Sequence, residues 1–334
     1  MFVAPALGAD DGLSAASEVW QRAFRTLGAE VTTVAGDGRA DLVLPGLAAG
    51  PAGTLDKDAL AAALAGAGLV VVENPCSDRF DAGAGSFLLA LLRGRRALLR
   101  HHDLPWQRPG STDDSAPPDD ASWRHVTVNE RSRLELSAKG VRAETVYNMF
   151  DVEVRPGDRE RTRAAVGAGE GPLLLQPTRA AASKNVAGGL LLASRLGASF
   201  WLLGPVEADY RGVLDRLQAA SPVRFLTGKP AEVTLADAYA ASDAVVLPSA
   251  WEGFGNAAIE SALYRRAFAA GSYPVASELR RYGFSWFDPR DAAPLARFLA
   301  SPDPLVLDRN EQVARLRFSS EQLPQRLMEI LTGR

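Results

Sequence analysis

Short apolar runs alternate with stretches of helical periodicity along almost the whole chain. The run at 2–7 is typical of a buried strand, and 14–27 carries apolar residues at helical spacing, with Gly28 where a helix would be capped. A second strand is predicted at 30–34. Strands and helices that alternate in this way favour parallel sheets covered by helices on both faces.

Two breaks interrupt this alternation. Residues 107–122 combine prolines with four aspartates and predict a loop, and residues 153–172 are charged and glycine-rich and predict a linker between domains. Further strands are predicted at 42–44, 69–72, 97–99, 124–128 and 145–148 before the linker, and at 173–176, 200–203, 223–226 and 244–247 after it. The fold class is therefore α/β, with two Rossmann-like doubly wound domains at 1–152 and 173–310. Helices at 311–334, broken near Pro324, complete the chain.

Composition narrows the classes of function. The chain has 334 residues, 47% of them hydrophobic, and 37 basic residues stand against 40 acidic ones. This balance gives no broad basic field for a nucleic-acid backbone, so no nucleic-acid partner is expected. Cys76 is the single cysteine, so no intrachain disulfide can form. The first residues do not resemble a signal peptide and no apolar run is long enough to span a bilayer, which predicts a cytoplasmic protein without integral membrane contact.

The first candidate site follows the predicted strand at 173–176. Arg179 and Lys184 lie in a segment that would open the next helix, at the sheet edge where doubly wound folds bind ligands. Two cations in that place could hold a diphosphate, because arginine binds phosphate in a bidentate manner and lysine supplies a point charge. A solvated basic turn is the alternative interpretation.

The second candidate site follows the strand at 244–247. Glu252 lies in the loop and Glu260 two turns into the next helix. Between them, Gly253 to Asn256 include Phe254 and the flexible Gly255, so that backbone N–H groups could approach an anion at the helix N-terminus. A carboxylate in such a loop suits the hydroxyls of a sugar attached to that anion. A helix-capping acid is the simpler alternative.

A third segment places His101, His102 and Asp103 at the end of the strand 97–99. Zinc would need a third ligand, and the sequence supplies no histidine or cysteine at the spacing of metal ligands, so no metal site is predicted. A structural histidine pair is the alternative to a functional one. Gly12, in the first loop between strand and helix, could allow a phosphate or an acceptor to approach closely.

Two motifs are discounted as sites. Gly83 and Gly85 resemble part of a dinucleotide fingerprint but lack the third glycine at the required spacing. Asp56 and Asp58 form a D-x-D, but they lie at the polar start of a predicted helix, where capping explains them.

Taken together, these motifs resemble the retaining nucleotide-sugar glycosyltransferases of the GT-B fold, specifically the E-x7-E family (glycosyltransferase family 4 type). Glu252 and Glu260 have that spacing, and the segment with Arg179 and Lys184 matches the donor-site motif in order and position. The segment 100–108 resembles a subgroup that acts on small acceptors. The first loop departs from the family, because it lacks the usual glycine-rich run.

The resemblance implies two domains that face a central cleft, with helices at 311–334 that cross back to the N-terminal domain. Arg179 and Lys184 would neutralise the diphosphate, together with backbone N–H groups of Gly253 to Asn256. Glu252 would hold the hexose and Glu260 the ribose. The remaining implied contacts lie on the N-terminal side: His102 to the donor sugar, His101 and Asp103 towards the acceptor, and Gly12 near the phosphates.

The expected function is transfer of a hexose from a nucleotide-sugar donor to a sugar or small hydroxylated acceptor, with retention and without a metal or other cofactor. The resemblance favours GDP-mannose as the donor, with UDP-glucose as the alternative. A nucleotide-sugar epimerase of the same fold and a non-enzymatic two-domain ligand-binding protein are the other candidates. A phosphorylase is disfavoured, because it would need a pyridoxal lysine and a longer chain.

Overall fold

The computed structural model describes residues 1–8, 11–50, 53–76, 78–107 and 111–333. Its contacts divide the chain into two compact units. The first comprises Met1–Phe150 together with the residues from Ser320 onward, and the second is Asp151–Ser319. Each unit is built on one parallel sheet, so the α/β fold class with two doubly wound sheets is confirmed.

The first unit contains a seven-stranded parallel sheet in the order β3-β2-β1-β4-β5-β6-β7. Its strands are β1 (Phe2–Leu7), β2 (Thr33–Gly38), β3 (Leu42–Val43), β4 (Val70–Glu73), β5 (Ala97–His101), β6 (Trp123–Thr127) and β7 (Ala143–Thr145). Its helices are α1 (Gly12–Thr26), α2 (Lys57–Ala65), α3 (Ala82–Leu92) and α4 (Glu130–Ala138). The central strands β4 and β5 are buried throughout, and they are apolar except at their carboxyl ends, where Glu73, Arg100 and His101 lie.

The second strand starts later than predicted. We expected it at 30–34, whereas β2 runs from Thr33 to Gly38. Gly36 lies inside this strand and is required by packing, because a Cβ atom there would lie 2.4 Å from the backbone nitrogen of Ala48. The close approach of the loop at 45–48 therefore selects glycine inside a strand.

The second unit contains a five-stranded parallel sheet in the order β10-β9-β8-β11-β12. Its strands are β8 (Leu173–Gln176), β9 (Ser199–Leu202), β10 (Phe225–Thr227), β11 (Ala244–Leu247) and β12 (Ala267–Ala270). Its helices are α5 (Arg159–Val166), α6 (Val186–Leu196), α7 (Arg211–Ala219), α8 (Leu235–Ala241), α9 (Asn256–Leu263), α10 (Pro274–Arg280), α11 (Ala292–Ala300) and α12 (Pro304–Phe318).

Two segments of this unit differ from expectation. The region 153–172, for which the sequence predicts a linker, contains α5, whose Arg159 forms an ion pair with Asp243 of the second unit at 2.6 Å. Strand β12 was not predicted, because its sequence Ala-Phe-Ala-Ala has little intrinsic preference for a strand. It is fully buried beside β11, so tertiary packing makes it a strand.

The chain ends with α13 (Leu323–Thr332) in the first unit, where Pro324 occupies the first turn of the helix. Its buried face, with Leu323 and Leu327, packs with Trp20 of α1 in one apolar cluster. Within the described part of the chain, no helix combines the length and the apolar character needed to cross a membrane.

Candidate functional site

In the second unit, the candidate residues lie in loops that follow the carboxyl ends of parallel strands. Gln176, the last residue of β8, is fully buried, and its amide nitrogen donates to the carbonyl oxygen of Lys184 at 2.9 Å. Asn185 adopts a left-handed backbone (φ 47°) and caps α6. Its side-chain nitrogen donates to the carbonyl oxygen of Pro248 at 3.1 Å. These bonds tie the β8 loop to the β11 loop and fix the backbone of Lys184 between them.

The central contact of this site is an ion pair between Lys184 and Glu252. The Lys184 Nζ lies 2.8 Å from each of the two carboxylate oxygens, and the side chains are 13% and 12% exposed. The sequence predicted both residues as ligands of one donor. The structure brings them together, and in it each neutralises the charge of the other.

The loop after Glu252 leads into the N-terminus of α9. Gly255 precedes the helix with φ 91°, a left-handed conformation that favours glycine, and it offers no side chain to cap the helix. Phe254 is buried and packs edge-on against Phe318 at a centroid distance of 5.9 Å. Its side chain therefore anchors the loop in the core.

Glu260 lies two turns along α9 and has a partner that the sequence did not indicate. The hydroxyl of Tyr239 donates to its Oε2 at 2.6 Å, and the ring of Tyr239 stacks on Tyr264. Burial raises the pKa of Glu260 above its ordinary value, although the bond from Tyr239 opposes the shift. The tyrosine thus fixes the orientation of the carboxylate.

Arg179 is paired with an acid in this structure. Its Nε lies 2.5 Å from Oε1 of Glu207, and both side chains are about two-fifths exposed. Gly204 allows the β9 loop to approach, because a Cβ atom there would lie 2.6 Å from the backbone nitrogen of Arg179. The sequence indicated neither Glu207 nor Gly204, since both follow a strand other than the one that positions Arg179.

In the first unit, the predicted histidine segment surrounds a buried carboxylate that the sequence did not indicate. Glu73, the last residue of β4, is fully buried, and the Arg100 guanidinium binds it at 3.1 Å and donates to Asn148 at 2.9 Å. The Nε2 of His102 lies 2.8 Å from the same carboxylate. Burial alone would raise the pKa of Glu73, but the charge of Arg100 and the bond to His102 outweigh it, and the pKa is lowered.

The backbone after β5 is held by Asn74, which has a left-handed conformation at φ 56°. Its side-chain oxygen accepts from the backbone nitrogen of His102 at 3.1 Å, and its side-chain nitrogen donates to Asp103 at 2.8 Å. Asn74 therefore presents His102 and Asp103 in one fixed turn. The side chain of His102 remains 14% exposed.

His101 lies in the interior of the first unit rather than on its surface. It is fully buried, and its Nε2 lies 2.9 Å from Nδ1 of His125, whose other nitrogen lies 3.2 Å from the carboxylate of Asp119. Burial lowers the pKa of both histidines, most strongly for His101. The acceptor-side role expected for His101 is thus at odds with its position, because strand β5 turns this side chain into the core.

Gly12 is the first residue of α1, next to the capping residue Asp11, whose carboxylate accepts from the backbone nitrogen of Ser14 at 2.8 Å. Ala9 and Asp10 of the same loop, and Arg108 of the segment 100–108, lie outside the described residues. The discounted Asp56 caps α2, as its position suggested. Among the residues described, no group of three or more His, Cys, Asp or Glu side chains is arranged to hold a metal ion.

Comparisons with known proteins bear on the fold. No family model matches the chain, and no curated protein matches it. Among solved structures, HepE of Anabaena in complex with UDP and glucose is 16% identical and covers 100% of both chains with a TM-score of 0.76. A sucrose-phosphate synthase of Thermosynechococcus elongatus is 16% identical, with coverage of 100% and 98% and a TM-score of 0.74. A glycosyltransferase of Rickettsia africae is 14% identical, with coverage of 99% and 98% and a TM-score of 0.72.

Likenesses at this level of identity establish the fold. The chain has the two-unit α/β architecture found in GT-B glycosyltransferases, over its full length.

Proposed function

We propose that this protein is a glycosyltransferase that moves a hexose from a nucleoside-diphosphate sugar to a hydroxyl group of a sugar or small-molecule acceptor. The observation that carries the proposal is the pairing of Lys184 with Glu252 beside the N-terminus of α9. It provides, at one sheet edge, a cation and helix N–H groups for a diphosphate and a carboxylate for sugar hydroxyls. The fold shared with HepE and sucrose-phosphate synthase supports the same conclusion.

Each donor-site residue then has a distinct role. Lys184 and Arg179 neutralise the diphosphate, and the backbone N–H groups of Gly253 to Asn256 stabilise the charge that grows on it as it leaves. Glu252 orients the hexose, and Glu260, held by Tyr239, accepts from the ribose hydroxyls. On the first unit, His102 contacts the donor sugar, and Asp103 and Gly12 belong to the acceptor side and the phosphate side respectively.

The reaction needs no nucleophile from the protein. The bond between the anomeric carbon and the phosphate oxygen breaks, and the acceptor oxygen bonds to the same face of that carbon. The acceptor proton passes to the phosphate oxygen that leaves, so configuration is retained and charge balances. With two cations and a helix N-terminus on the diphosphate, we infer that no bridging metal is required.

The donor is inferred to be a hexose nucleotide. The segment 100–108 favours GDP-mannose. The complex of HepE with UDP-glucose favours that donor as the second candidate. A panel of UDP, GDP and their hexose conjugates in a thermal-unfolding assay distinguishes them, because a ligand at 100 times its dissociation constant adds about 2.7 kcal/mol of stability.

The functional test is turnover with and without acceptors. We expect nucleoside diphosphate to be released only when a hydroxylated acceptor is added, with the hexose found on that acceptor. Conversion of the donor sugar without any acceptor would instead identify an epimerase. Binding of the nucleotide sugar with no conversion under any condition would favour the non-enzymatic alternative.

A substitution of Lys184 tests the diphosphate site. Lys184→Gln should weaken binding of the nucleoside diphosphate at least tenfold, because a charge-assisted contact is lost, and should lower turnover. Glutamine can still donate to Glu252, so that the carboxylate keeps a partner and the fold is preserved. Lys57→Gln, in α2 of the first unit, is the matched control and should bind as the wild type does. Calorimetry with equal affinities for both variants would remove Lys184 from the site.

A further inference from the structure

A buried tyrosine at the edge of the donor site has no role in the function proposed so far. Tyr273 follows β12 and immediately precedes α10, and its side chain is fully buried. Its hydroxyl lies against Gly255, where an added Cβ atom would come within 2.4 Å of it. The ring therefore reaches from the β12 loop to the loop that joins Glu252 to α9.

The hydroxyl of Tyr273 has no hydrogen-bond partner within the part of the chain that the structure describes. A buried hydroxyl without a partner reduces stability, and phenylalanine would fill the same space without that cost. Buried unsatisfied polar groups are rare in native proteins, and departures from such rules are expected at functional or strained sites. The position of this hydroxyl beside the donor loop indicates what that second state is.

Glu252 belongs to the same loop as Gly255, against which the Tyr273 hydroxyl lies, and its partner must change when a diphosphate binds. Both of its carboxylate oxygens are held by Lys184 at 2.8 Å. A diphosphate carries more negative charge than one carboxylate and competes for this lysine. Once Lys184 turns to the phosphates, Glu252 keeps its charge in a site where it is only 12% exposed, and it needs another donor. Burial raises the pKa of Tyr273, and the negative charge of Glu252 acts in the same direction.

We propose that Tyr273 is a positioning residue: its hydroxyl replaces Lys184 as the hydrogen-bond donor to Glu252 when Lys184 binds the diphosphate of the donor. The hydroxyl then donates to the carboxylate, and the remaining carboxylate oxygen is directed at the hexose. This inference rests on the proposed function, since it requires a diphosphate donor. Through Tyr273, binding of the phosphates by Lys184 is coupled to binding of the sugar by Glu252.

A double-mutant cycle between Tyr273→Phe and Glu252→Gln tests the coupling. The affinity of the four proteins for UDP and for GDP is measured by calorimetry. In the wild-type background, Tyr273→Phe should weaken binding of the nucleoside diphosphate about tenfold, because release of Lys184 then leaves Glu252 without a donor. In the Glu252→Gln background the same change should alter affinity by less than about twofold, since residue 252 then carries no charge for the Tyr273 hydroxyl to stabilise.

Unfolding temperatures separate this role from a structural one. Tyr273→Phe removes an unpartnered hydroxyl and should melt at the same temperature as the wild type or higher, while its affinity falls. Tyr282→Phe, the same chemical change in the same unit, is the control and should leave affinity unchanged.

Each alternative outcome overturns the proposal in a recognisable way. An equal loss of affinity in both backgrounds would mean that the hydroxyl contacts the ligand itself. No loss in the wild-type background, or a loss that follows a lower melting temperature, would leave Tyr273 a packing residue. If the wild-type protein bound neither UDP nor GDP, the proposed function would fail together with this inference.

Discussion

Opposite charges in the donor loops hold one another in the structure. Lys184 binds Glu252 and Arg179 binds Glu207, so that neither cation is buried without a counter-charge. The two pairs differ in environment, since the first is about one-eighth exposed and the second about two-fifths. A diphosphate must therefore compete with a carboxylate for each cation, and the more buried pair is the more costly to separate.

Substitutions of Glu252 and Glu260 should change different kinetic parameters. Glu252→Gln should lower kcat on the order of 10²-fold, because orientation of the hexose is lost as charge develops at its anomeric carbon. The affinity for the nucleoside diphosphate should be kept or increased, since Lys184 is released from its partner. Glu260→Gln should raise KM for the donor and weaken binding of the free nucleotide, because its contacts are made in ground and transition states alike.

Calorimetry and steady-state donor kinetics on both variants check this pair of expectations. Glutamine keeps the size of the side chain and one acceptor oxygen, so cavity effects stay small. A Glu252→Gln variant that loses nucleotide affinity, beside a Glu260→Gln variant that loses only kcat, would mean that the two roles are reversed.

The central element of the proposed donor site is α9 with the turn before it. The helix starts at Asn256, Gly255 before it takes a left-handed conformation, and Phe254 of the same turn is buried in the core. Conformation and contact thus both require glycine at 255.

Gly255→Ala should lower the stability of the second unit by about 1–3 kcal/mol, since it adds backbone strain and a clash with the Tyr273 hydroxyl. Gly197→Ala is a control for the strain alone, because that glycine has φ 61° and no atom within 4 Å of the added Cβ. Denaturant unfolding of both variants separates the two contributions. Equal losses would show that the contact with Tyr273 carries no cost.

Strands β5 and β6 meet at a histidine pair that should make stability depend on pH. His101 and His125 have lowered pKa values in the folded protein because both are buried. The unfolded chain titrates these histidines near about pH 6.5 and therefore binds more protons than the folded one below that pH. Their contribution to stability is present above about pH 6.5 and should be lost as the pH falls towards the folded pKa values.

Melting temperatures measured between pH 7.5 and 5 check this expectation, with the double variant His101→Asn and His125→Asn as the comparison. The wild type should lose stability across this range more steeply than the double variant. Carboxylates with lowered pKa, such as Asp237 at about 2, act at lower pH. Glu260, whose raised pKa acts in the opposite direction, is present in both proteins, so the difference between their pH profiles reports the histidines. Parallel pH profiles for the two proteins would contradict the assignment.

For the whole molecule, the proposed neutralisation of the diphosphate by Lys184 and Arg179 predicts that activity does not depend on a metal ion. Activity should survive treatment with EDTA, measured as transfer of the hexose to an acceptor. A complete loss that magnesium reverses would instead mean that a bridging cation binds the diphosphate, and Asp56 and Asp58 would become candidate ligands for that cation. In the structure Asp56 is engaged as the cap of α2.

The fold class and the order of the candidate motifs can be predicted from local patterns along the chain. Parallel strands buried on both faces are continuous apolar runs, and the loops that follow them carry the polar side chains that bind ligands. Both features can therefore be recognised along the sequence. For this reason β8 and β11, with Lys184 and Glu252 in the loops that follow, were identified from the chain alone.

Which side chains meet depends on the fold. Glu73 ends an otherwise apolar strand, and its partners Arg100 and His102 are distant in sequence, so nothing local marks it as part of a buried ion pair. The Tyr273 hydroxyl, which has no hydrogen-bond partner among the described residues, and the buried His101 likewise owe their surroundings to residues distant in sequence. Periodicity and turn chemistry are local, so strands, helices and turns can be predicted from the sequence. Burial and ion pairing arise from contacts between residues that are distant in sequence, so they become visible only in the folded structure.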